Sequence, residues 1–437
     1  MMTCDFSPFA MTVPEILLPS PRLDLKVWGV VACDQYTQEP RYWERAEAER
    51  EGWPSTLSLI LPEAFLSQKD RRLPLIHQAM RDYLDSGVFL PPRSGMVYVE
   101  RKTEFGRLRR GLVTAIDLEA YDWDPQKKAP IRATEATILE RIPARMDIRR
   151  GAALECPHIL LLANDPEGRL VEGAARFVRE RQIAPAYSTD LMFGAGHLAG
   201  YVLAGDEALE SIRESLGALA SSAGNAAGSQ GGFLFAVGDG NHSLASAKAL
   251  WDEYKAAHPQ EADHPARYAL AEIVNIYDEG LTFEPIHRAV FNADPSHLAS
   301  FAADKLGGKL IAGVPKQACI EKVEHSERAF CFGWKKGSGC EFALLEAPGA
   351  GLAVSALQGV LDGYLASHRD ASIDYIHGTD SLFRLALQDR TTSILLPPIA
   401  KGSFFSTLNA EGVLPRKSFS LGEASEKRFY FECRKLF

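Results

Sequence analysis

The stretch of the sequence with the clearest chemical meaning is a Gly-Asp-Gly-Asn-His-Ser run at residues 238–243, between a short apolar segment and an alanine-rich one. We interpret the apolar segment as a strand and the alanine-rich one as a helix. A helix that begins here directs its first backbone N–H groups at the turn, where the helix dipole favours anions. Two glycines let a ligand approach the backbone closely. The predicted phosphate or nucleotide ligands are Gly238, Asp239, Gly240, Asn241, His242 and Ser243.

The side chains of this turn suggest catalysis as well as binding. His242 and Ser243 can donate hydrogen bonds to phosphate oxygens, and His242 can stabilise charge on a transferred group. Asp239 can bind Mg²⁺ or accept a proton. The alternative is a purely structural turn in which Asn241 or Ser243 caps the helix.

A second polar cluster lies earlier in the chain, in an Arg-x-Thr-Glu-x-Thr string. Arginine beside hydroxyls and a carboxylate suits a phosphate or carboxylate ligand. The alternative is a solvated network of salt bridges. The predicted substrate-binding residues are Arg132, Thr134, Glu135 and Thr137.

Two carboxylates, Asp34 and Glu39, follow an apolar segment at residues 27–32 that we predict to be a buried strand. Loops at the carboxyl ends of strands are where α/β proteins collect their sites. Either carboxylate can accept the proton of a substrate hydroxyl during phosphoryl transfer. The alternative is that Asp34 only caps the next turn. Arg288, beside His287, is a further candidate phosphate ligand or a purely structural residue.

Alternating strand and helix patterns predict a mixed α/β fold that positions these groups. Hairpins are predicted for residues 95–101 with 109–118 and for 328–334 with 341–345. We predict three regions along the chain. They are an N-terminal α/β region at 1–185 with the first strand and the Arg132 cluster, a phosphate-turn region at 186–295, and a C-terminal α/β domain at 296–437.

Composition narrows the class of protein. The chain has 437 residues, of which 46% are hydrophobic and 24% charged, as in ordinary globular domains. A net charge of −9 argues against nucleic acid as a partner. Seven cysteines without C-x-x-C spacing fit a reducing cytoplasm rather than a disulfide framework or zinc ribbon. No membrane span or signal peptide is expected, so a cytoplasmic location is predicted. Walker, H-E-x-x-H and G-x-S-x-G motifs are absent from the sequence.

The segment VGDGNHSLASAKAL, at residues 237–250, resembles the D-G-x-H-R-x-x-A box of the ParB/sulfiredoxin superfamily. That superfamily includes CTP-binding partition proteins, sulfiredoxin and a free serine kinase, and its box holds nucleotide phosphates. Asp239, Gly240 and His242 match the box. Ser246 stands at the alanine position, and Ser243 stands where arginine is usual. One positive charge is therefore missing from the turn, and Arg288 or the Arg132 cluster is the candidate replacement.

Longer strings resemble the family known as domain of unknown function 1015. They span residues 27–430 and include VWGVVACDQYTQEPRYW, IRATEATILERIPARMDIR, PHILLL, DLMFGAGHLAGY, EPIHRAVF, IDYIHG, LPRKSF and KRFY. Together the two resemblances imply a ParB/sulfiredoxin-like nucleotide-binding core with large insertions, formed by the first two regions, and a C-terminal α/β domain.

The leading functional hypothesis is a nucleotide-dependent phosphotransferase, a kinase-like enzyme that acts on a small hydroxyl metabolite, with free serine as the first candidate. Its cofactor is ATP or ADP with Mg²⁺. Asp34 or Glu39 is the base, and Asp239 is the metal ligand. The alternatives are a non-catalytic nucleotide-binding regulator and a phosphate-ester hydrolase.

Overall fold

A computed structural model describes residues 4–124, 127–222, 233–349 and 351–437. The α-helices are α1 (Leu25–Trp28), α2 (Pro40–Glu49), α3 (Lys69–Asp85), α4 (Ile142–Arg149), α5 (Val171–Glu180), α6 (Asp206–Ser221), α7 (Asn241–Ala257), α8 (Pro295–Leu306), α9 (Lys316–Glu324), α10 (Ala353–Ser367), α11 (Thr379–Leu385) and α12 (Lys401–Glu411). The strands are β1 (Met11–Thr12), β2 (Glu15–Ile16), β3 (Arg93–Ser94), β4 (Met96–Thr103), β5 (Leu108–Asp117), β6 (Tyr121–Asp122), β7 (Ile131–Arg132), β8 (Leu154–Glu155), β9 (Leu160–Ala163), β10 (Tyr187–Asp190), β11 (Gly196–Leu203), β12 (Phe235–Asp239), β13 (Tyr268–Asn275), β14 (Phe283–Phe291), β15 (Lys309–Ala312), β16 (Ala329–Lys336), β17 (Gly339–Glu346), β18 (Ser372–His377), β19 (Thr391–Leu395), β20 (Phe419–Leu421) and β21 (Arg434–Lys435). Within the described ranges, no helix combines the length and the apolar character needed to cross a bilayer.

The predicted mixed α/β class is confirmed, and the chain divides into two compact units. The first unit comprises Met1–Leu281 and Glu423–Phe437, and the second comprises Thr282–Gly422. This division differs from the predicted boundaries at residues 185 and 295. The segment after residue 422 rejoins the first unit because its backbone pairs there, with Tyr430 N–H donating to Val30 O at 2.9 Å.

The main sheet of the first unit has the strand order β10-β11-β4-β5-β13-β9-β12-β7-β6, with β1 added to β5. β4 and β5 form the predicted antiparallel hairpin, in which Val97 lies opposite Val113. β9 and β13 pair in parallel and are buried along almost their whole length. The unbroken apolar sequence of β9 and the mostly apolar sequence of β13 follow from that burial on both faces of the sheet.

β12 and α7 are the strand and helix predicted around residues 238–243. β12 pairs antiparallel with β9 and parallel with β7, and the second pairing brings Arg132 opposite Ala236. The register with β9 shifts between Val237 and Asp239, so a β-bulge lies at Gly238. One more pair, Asp239 opposite Leu160, follows the bulge before the turn begins.

Residues 27–32 do not form the predicted first strand. Helix α1 ends at Trp28, and Val31 makes only an isolated bridge with Phe429. The run is apolar because it is buried beside the segment after residue 422, where Trp28 Nε1 donates to Phe431 O at 3.0 Å. A short apolar run indicates burial and does not by itself identify a strand.

The second unit contains a sheet with the order β15-β17-β16-β19-β14-β18, and β20 pairs with the first part of β14. β16 and β17 form the predicted second hairpin, in register from Ala329 opposite Glu346 to Lys336 opposite Gly339. Helices α8 to α12 belong to the same unit. An α/β architecture in the C-terminal part is thus confirmed.

His287 gives the second unit a pH-dependent stability. Its imidazole is 3% exposed on β14, and Nδ1 accepts a hydrogen bond from Leu396 N–H at 3.2 Å. Burial and the positive charge of Arg288 lower the pKa of His287 to about 3. The unfolded chain takes up this proton near pH 6.5 while the folded chain does not, so stability is lost as the pH falls from about 6.5 toward 3.

Between pH 7 and pH 5 this group is expected to lower the free energy of unfolding by about 2 kcal/mol. Urea unfolding at both pH values checks the prediction, with His287→Gln as the comparison because glutamine keeps an acceptor and does not titrate. The variant should lose less stability on acidification. An equal loss in both proteins would show that His287 is not the group responsible.

Candidate functional site

The turn between β12 and α7 has a conformation that leaves the start of the helix open. Gly240 is the N-cap residue with φ of 81°, a backbone region that favours glycine. A Cβ at this position would lie 3.1 Å from Ile159 Cγ1. Among the described residues no side chain caps α7. The alternative in which Asn241 or Ser243 caps the helix is therefore wrong, because both side chains bond elsewhere.

Asn241 joins the turn to the segment that carries the Arg-x-Thr-Glu-x-Thr string. Its Oδ1 accepts from Thr134 N–H at 3.2 Å, and its Nδ2 donates to Thr134 Oγ1 at 3.2 Å. Thr134 Oγ1 in turn donates to Val237 O at 2.6 Å. His242 Nε2 accepts from Ile138 N–H at 3.3 Å. Residues 134–138 therefore lie directly against the turn.

The other members of the Arg132 cluster differ in their surroundings. Thr137 Oγ1 is buried and finds no hydrogen-bond partner within the described part of the chain, and Glu135 is half-buried. Arg132 lies with its guanidinium 4.3 Å from the centre of the Phe233 ring, and its Nε donates to Ala129 O at 3.3 Å. Burial lowers the pKa of Arg132. The threonines thus approach the turn, whereas the arginine stacks on an aromatic ring.

Lys427 supplies a cation at the turn. Its Nζ lies 3.1 Å from Oδ2 of Asp239, and the two side chains are only 8% and 19% exposed. The other oxygen of Asp239 accepts from Gly240 N–H at 2.9 Å. Lys427, a residue far along the chain in the segment that rejoins the first unit, therefore brings a positive charge to the turn, where it pairs with Asp239.

Ser243 belongs to a buried chain of hydrogen bonds. Its Oγ lies 3.1 Å from His158 Nε2, and His158 Nδ1 lies 2.8 Å from the Tyr430 hydroxyl. That hydroxyl also accepts from Cys33 N–H at 3.1 Å. The chain connects the start of α7 to the loop that carries Asp34.

The two candidate bases are not equivalent. Burial raises the pKa of Asp34, but His158, the Gln35 amide and Lys427 outweigh it, so the pKa lies below its ordinary value. Asp34 is therefore an ionised carboxylate, and the positive charge of Lys427 favours that form. Glu39 is exposed at the start of α2 and makes no capping hydrogen bond there.

Arg288 has a structural role within the second unit rather than the predicted phosphate contact. Its side chain is fully buried, and Nε donates to Gln358 Oε1 at 2.9 Å. Nη1 donates to the carbonyls of Ile286 at 2.7 Å and Lys417 at 3.0 Å. The guanidinium also lies 4.6 Å from the centre of the Tyr375 ring. All of these contacts are with residues of the second unit.

Sequence reasoning missed His158, Tyr430 and Lys427 as site residues. A signal was present, because His158 lies in the PHILLL string and the other two lie in KRFY. From the sequence alone, both strings indicate only a resemblance to a family and no role for the individual residues. The spacing of residues along the chain predicts only local contacts, so it does not predict that these residues lie near a turn that is distant in the sequence.

Comparison with solved structures finds weak likenesses. Substituted forms of free serine kinase in complex with AMP and with ADP are 13% and 12% identical to this chain, each with a TM-score of 0.39, and each match covers 74% of this chain and 92% of that chain. A conserved hypothetical protein from Pyrococcus furiosus is 13% identical with a TM-score of 0.34, and its match covers 73% of this chain and 90% of that one. A comparison of this chain with curated proteins finds no match.

The family comparison covers most of the sequence. The model described as protein of unknown function, DUF1015, matches residues 17–364. This chain therefore belongs to the DUF1015 family.

Proposed function

We propose that the first unit binds a nucleotide through its phosphates and transfers the terminal phosphoryl group to the hydroxyl of a small metabolite. The observation that carries this proposal is the Lys427–Asp239 ion pair at the start of α7, which no side chain of the described residues caps. Backbone N–H groups at a helix start and a nearby cation both favour phosphate. The buried Thr137 hydroxyl, without a partner in the described ranges, adds a donor in the segment that contacts this turn through Thr134 and Ile138.

The transfer itself needs one group that accepts the hydroxyl proton and positively charged or hydrogen-bond-donating groups around the transferred phosphoryl group. The acceptor hydroxyl oxygen attacks the terminal phosphorus and a new O–P bond forms. The bond from that phosphorus to the bridging oxygen breaks, and the shortened nucleotide leaves with the electron pair. The hydroxyl proton goes to the Asp34 carboxylate. Lys427 and His242 stabilise the negative charge on the transferred group.

Magnesium fits this site only as a partner of bound phosphate. Both oxygens of Asp239 already have partners, and no group of three or more His, Cys, Asp or Glu side chains in the described ranges is placed to hold a metal ion. Mg²⁺ commonly uses one or two carboxylates and takes its other ligands from phosphates and water. Asp239 would be the protein ligand, and the ion would neutralise phosphate charge.

The proposal is tested with purified protein, Mg²⁺ and ATP, ADP or CTP, across a panel of hydroxyl acceptors that includes serine and alcohols with apolar groups. Formation of a phosphorylated acceptor supports a phosphotransferase. Phosphate release without an acceptor identifies a hydrolase, and binding without turnover identifies a regulator. If none of the three nucleotides binds, the proposal is wrong.

Asp34→Asn is expected to lower turnover about 100-fold or more while nucleotide affinity stays within about twofold, because the amide cannot accept the proton. Glu39→Gln is the matched control and should keep wild-type turnover. Since the pKa of Asp34 is lowered, this base stays ionised, and no loss of rate due to Asp34 is expected until the pH falls below the range in which carboxylates ordinarily titrate. Loss of turnover in Glu39→Gln alone would assign the base to Glu39.

A further inference from the structure

A cavity of about 140 Å³ lies inside the first unit, next to the candidate site. Its wall includes Cys33, His158, Ser243 and Tyr430, which are the members of the hydrogen-bond chain described above. The cavity and the phosphate turn therefore share Ser243. A molecule in the cavity would lie beside the start of α7.

Aliphatic side chains form most of the remaining wall. Leu59, Leu61, Met80, Leu154 and Leu270 all line the cavity and are buried. An apolar cavity of roughly 150 Å³ is large enough to hold benzene. The free energy gained by an apolar group here comes from its removal from water, at about 25 cal/mol per Å² of apolar surface.

The charged residues in the wall are paired with one another. Arg145 forms an ion pair with Glu63, and Arg149 forms one with Glu155. Arg434 adds a second cation to Glu155 at 3.2 Å. A free ammonium or carboxylate group entering the cavity would lose its hydration and compete with pairs that are already formed, which is costly.

We infer that this cavity holds the apolar part of the phosphoryl acceptor, a hydroxyl compound with an uncharged group of about the size of a benzene ring. The hydroxyl lies at the Ser243 and His158 end, next to the loop of Asp34. A free amino acid of serine's size, with two charges and no apolar group, uses none of the aliphatic wall. The identity of this molecule as acceptor rests on the proposed function, but its binding in the cavity does not.

The test uses benzyl alcohol as the probe and the full chain, with binding followed by ligand-observed NMR. Leu66→Trp narrows the cavity from a half-buried position, and Ala152→Leu fills it from a buried one. Both are expected to weaken benzyl alcohol binding by about tenfold or more, as a filled pocket excludes its ligand. Leu75→Trp is the matched control, because Leu75 is 67% exposed on α3 and outside the cavity wall.

The thermal unfolding midpoint, measured on the same samples, shows that each variant is folded, and its ADP affinity should stay unchanged. Absence of benzyl alcohol binding to the wild type, or equal binding by the cavity variants and the control, overturns the inference. If benzyl alcohol binds but no nucleotide does, the proposed function fails and the cavity assignment stands. If serine accepts phosphoryl groups and aryl or alkyl alcohols do not, the assignment of the acceptor is wrong.

Discussion

Replacing Lys427 with methionine is expected to weaken nucleotide binding roughly 10- to 100-fold, the equivalent of a charge-assisted hydrogen bond of about 1.5–3 kcal/mol. The substitution removes the cation that lies 3.1 Å from Asp239 at the start of α7. It also leaves the Asp239 carboxylate unbalanced beside an incoming phosphate. Calorimetric titration with ADP and Mg²⁺ measures the change.

Two further variants separate these effects. Lys435→Met removes an exposed lysine of the same C-terminal segment and should bind ADP like the wild type. Lys427→Met combined with Asp239→Asn removes both charges, so in a titration without Mg²⁺ the double variant should bind ADP more tightly than Lys427→Met alone. If Lys427→Met binds ADP normally, Lys427 is only the structural partner of Asp239, and the phosphate site lies elsewhere.

Replacing Arg428 with methionine is expected to lower the free energy of unfolding by about 3–5 kcal/mol, because it removes the nearest cation from two buried carboxylates. Arg428 is 3% exposed and pairs with Glu272 and, at 2.5 Å, with Glu432. Its Nε also donates to Pro157 O at 3.0 Å. Urea unfolding monitored by tryptophan fluorescence gives the change.

Arg150→Met is the control for this substitution. Arg150 pairs with Asp147 and Glu253, but its side chain is 48% exposed, so its removal should cost no more than about 1 kcal/mol. Equal effects of the two substitutions would contradict a structural role for the buried network around Arg428.

The parts of the structure that follow from local sequence patterns could be predicted. Two β-prone runs joined by a polar turn predict a hairpin, and in the structure these runs are β4 and β5, which pair and are largely buried. The strand and helix around Gly240 were predictable because two glycines stand between an apolar run and a helix-favouring one. Each of these patterns lies within a short stretch of sequence, and the structure confirms the predicted elements.

Features that depend on distant contacts could not be predicted in this way. The run at residues 27–32 looks like a strand because it is apolar, yet it is buried by the segment around Phe429. Arg288 resembled a phosphate ligand because it is a basic residue beside a histidine, yet its donors are used inside the second unit. Serine in place of arginine at residue 243 predicted that any cation at the turn comes from elsewhere in the chain, and only the folded chain places Lys427 beside Asp239.

The return of Glu423–Phe437 to the first unit has a consequence for how the protein is made. The ribosome produces Lys427 and Tyr430 only after it has finished every residue of the second unit. A nascent chain that has exposed β12 and α7 therefore still lacks the lysine that pairs with Asp239. Premature termination or cleavage within residues 282–422 would yield a first unit without that charge, so under the proposed function a nucleotide would be bound tightly only after synthesis has passed through both units.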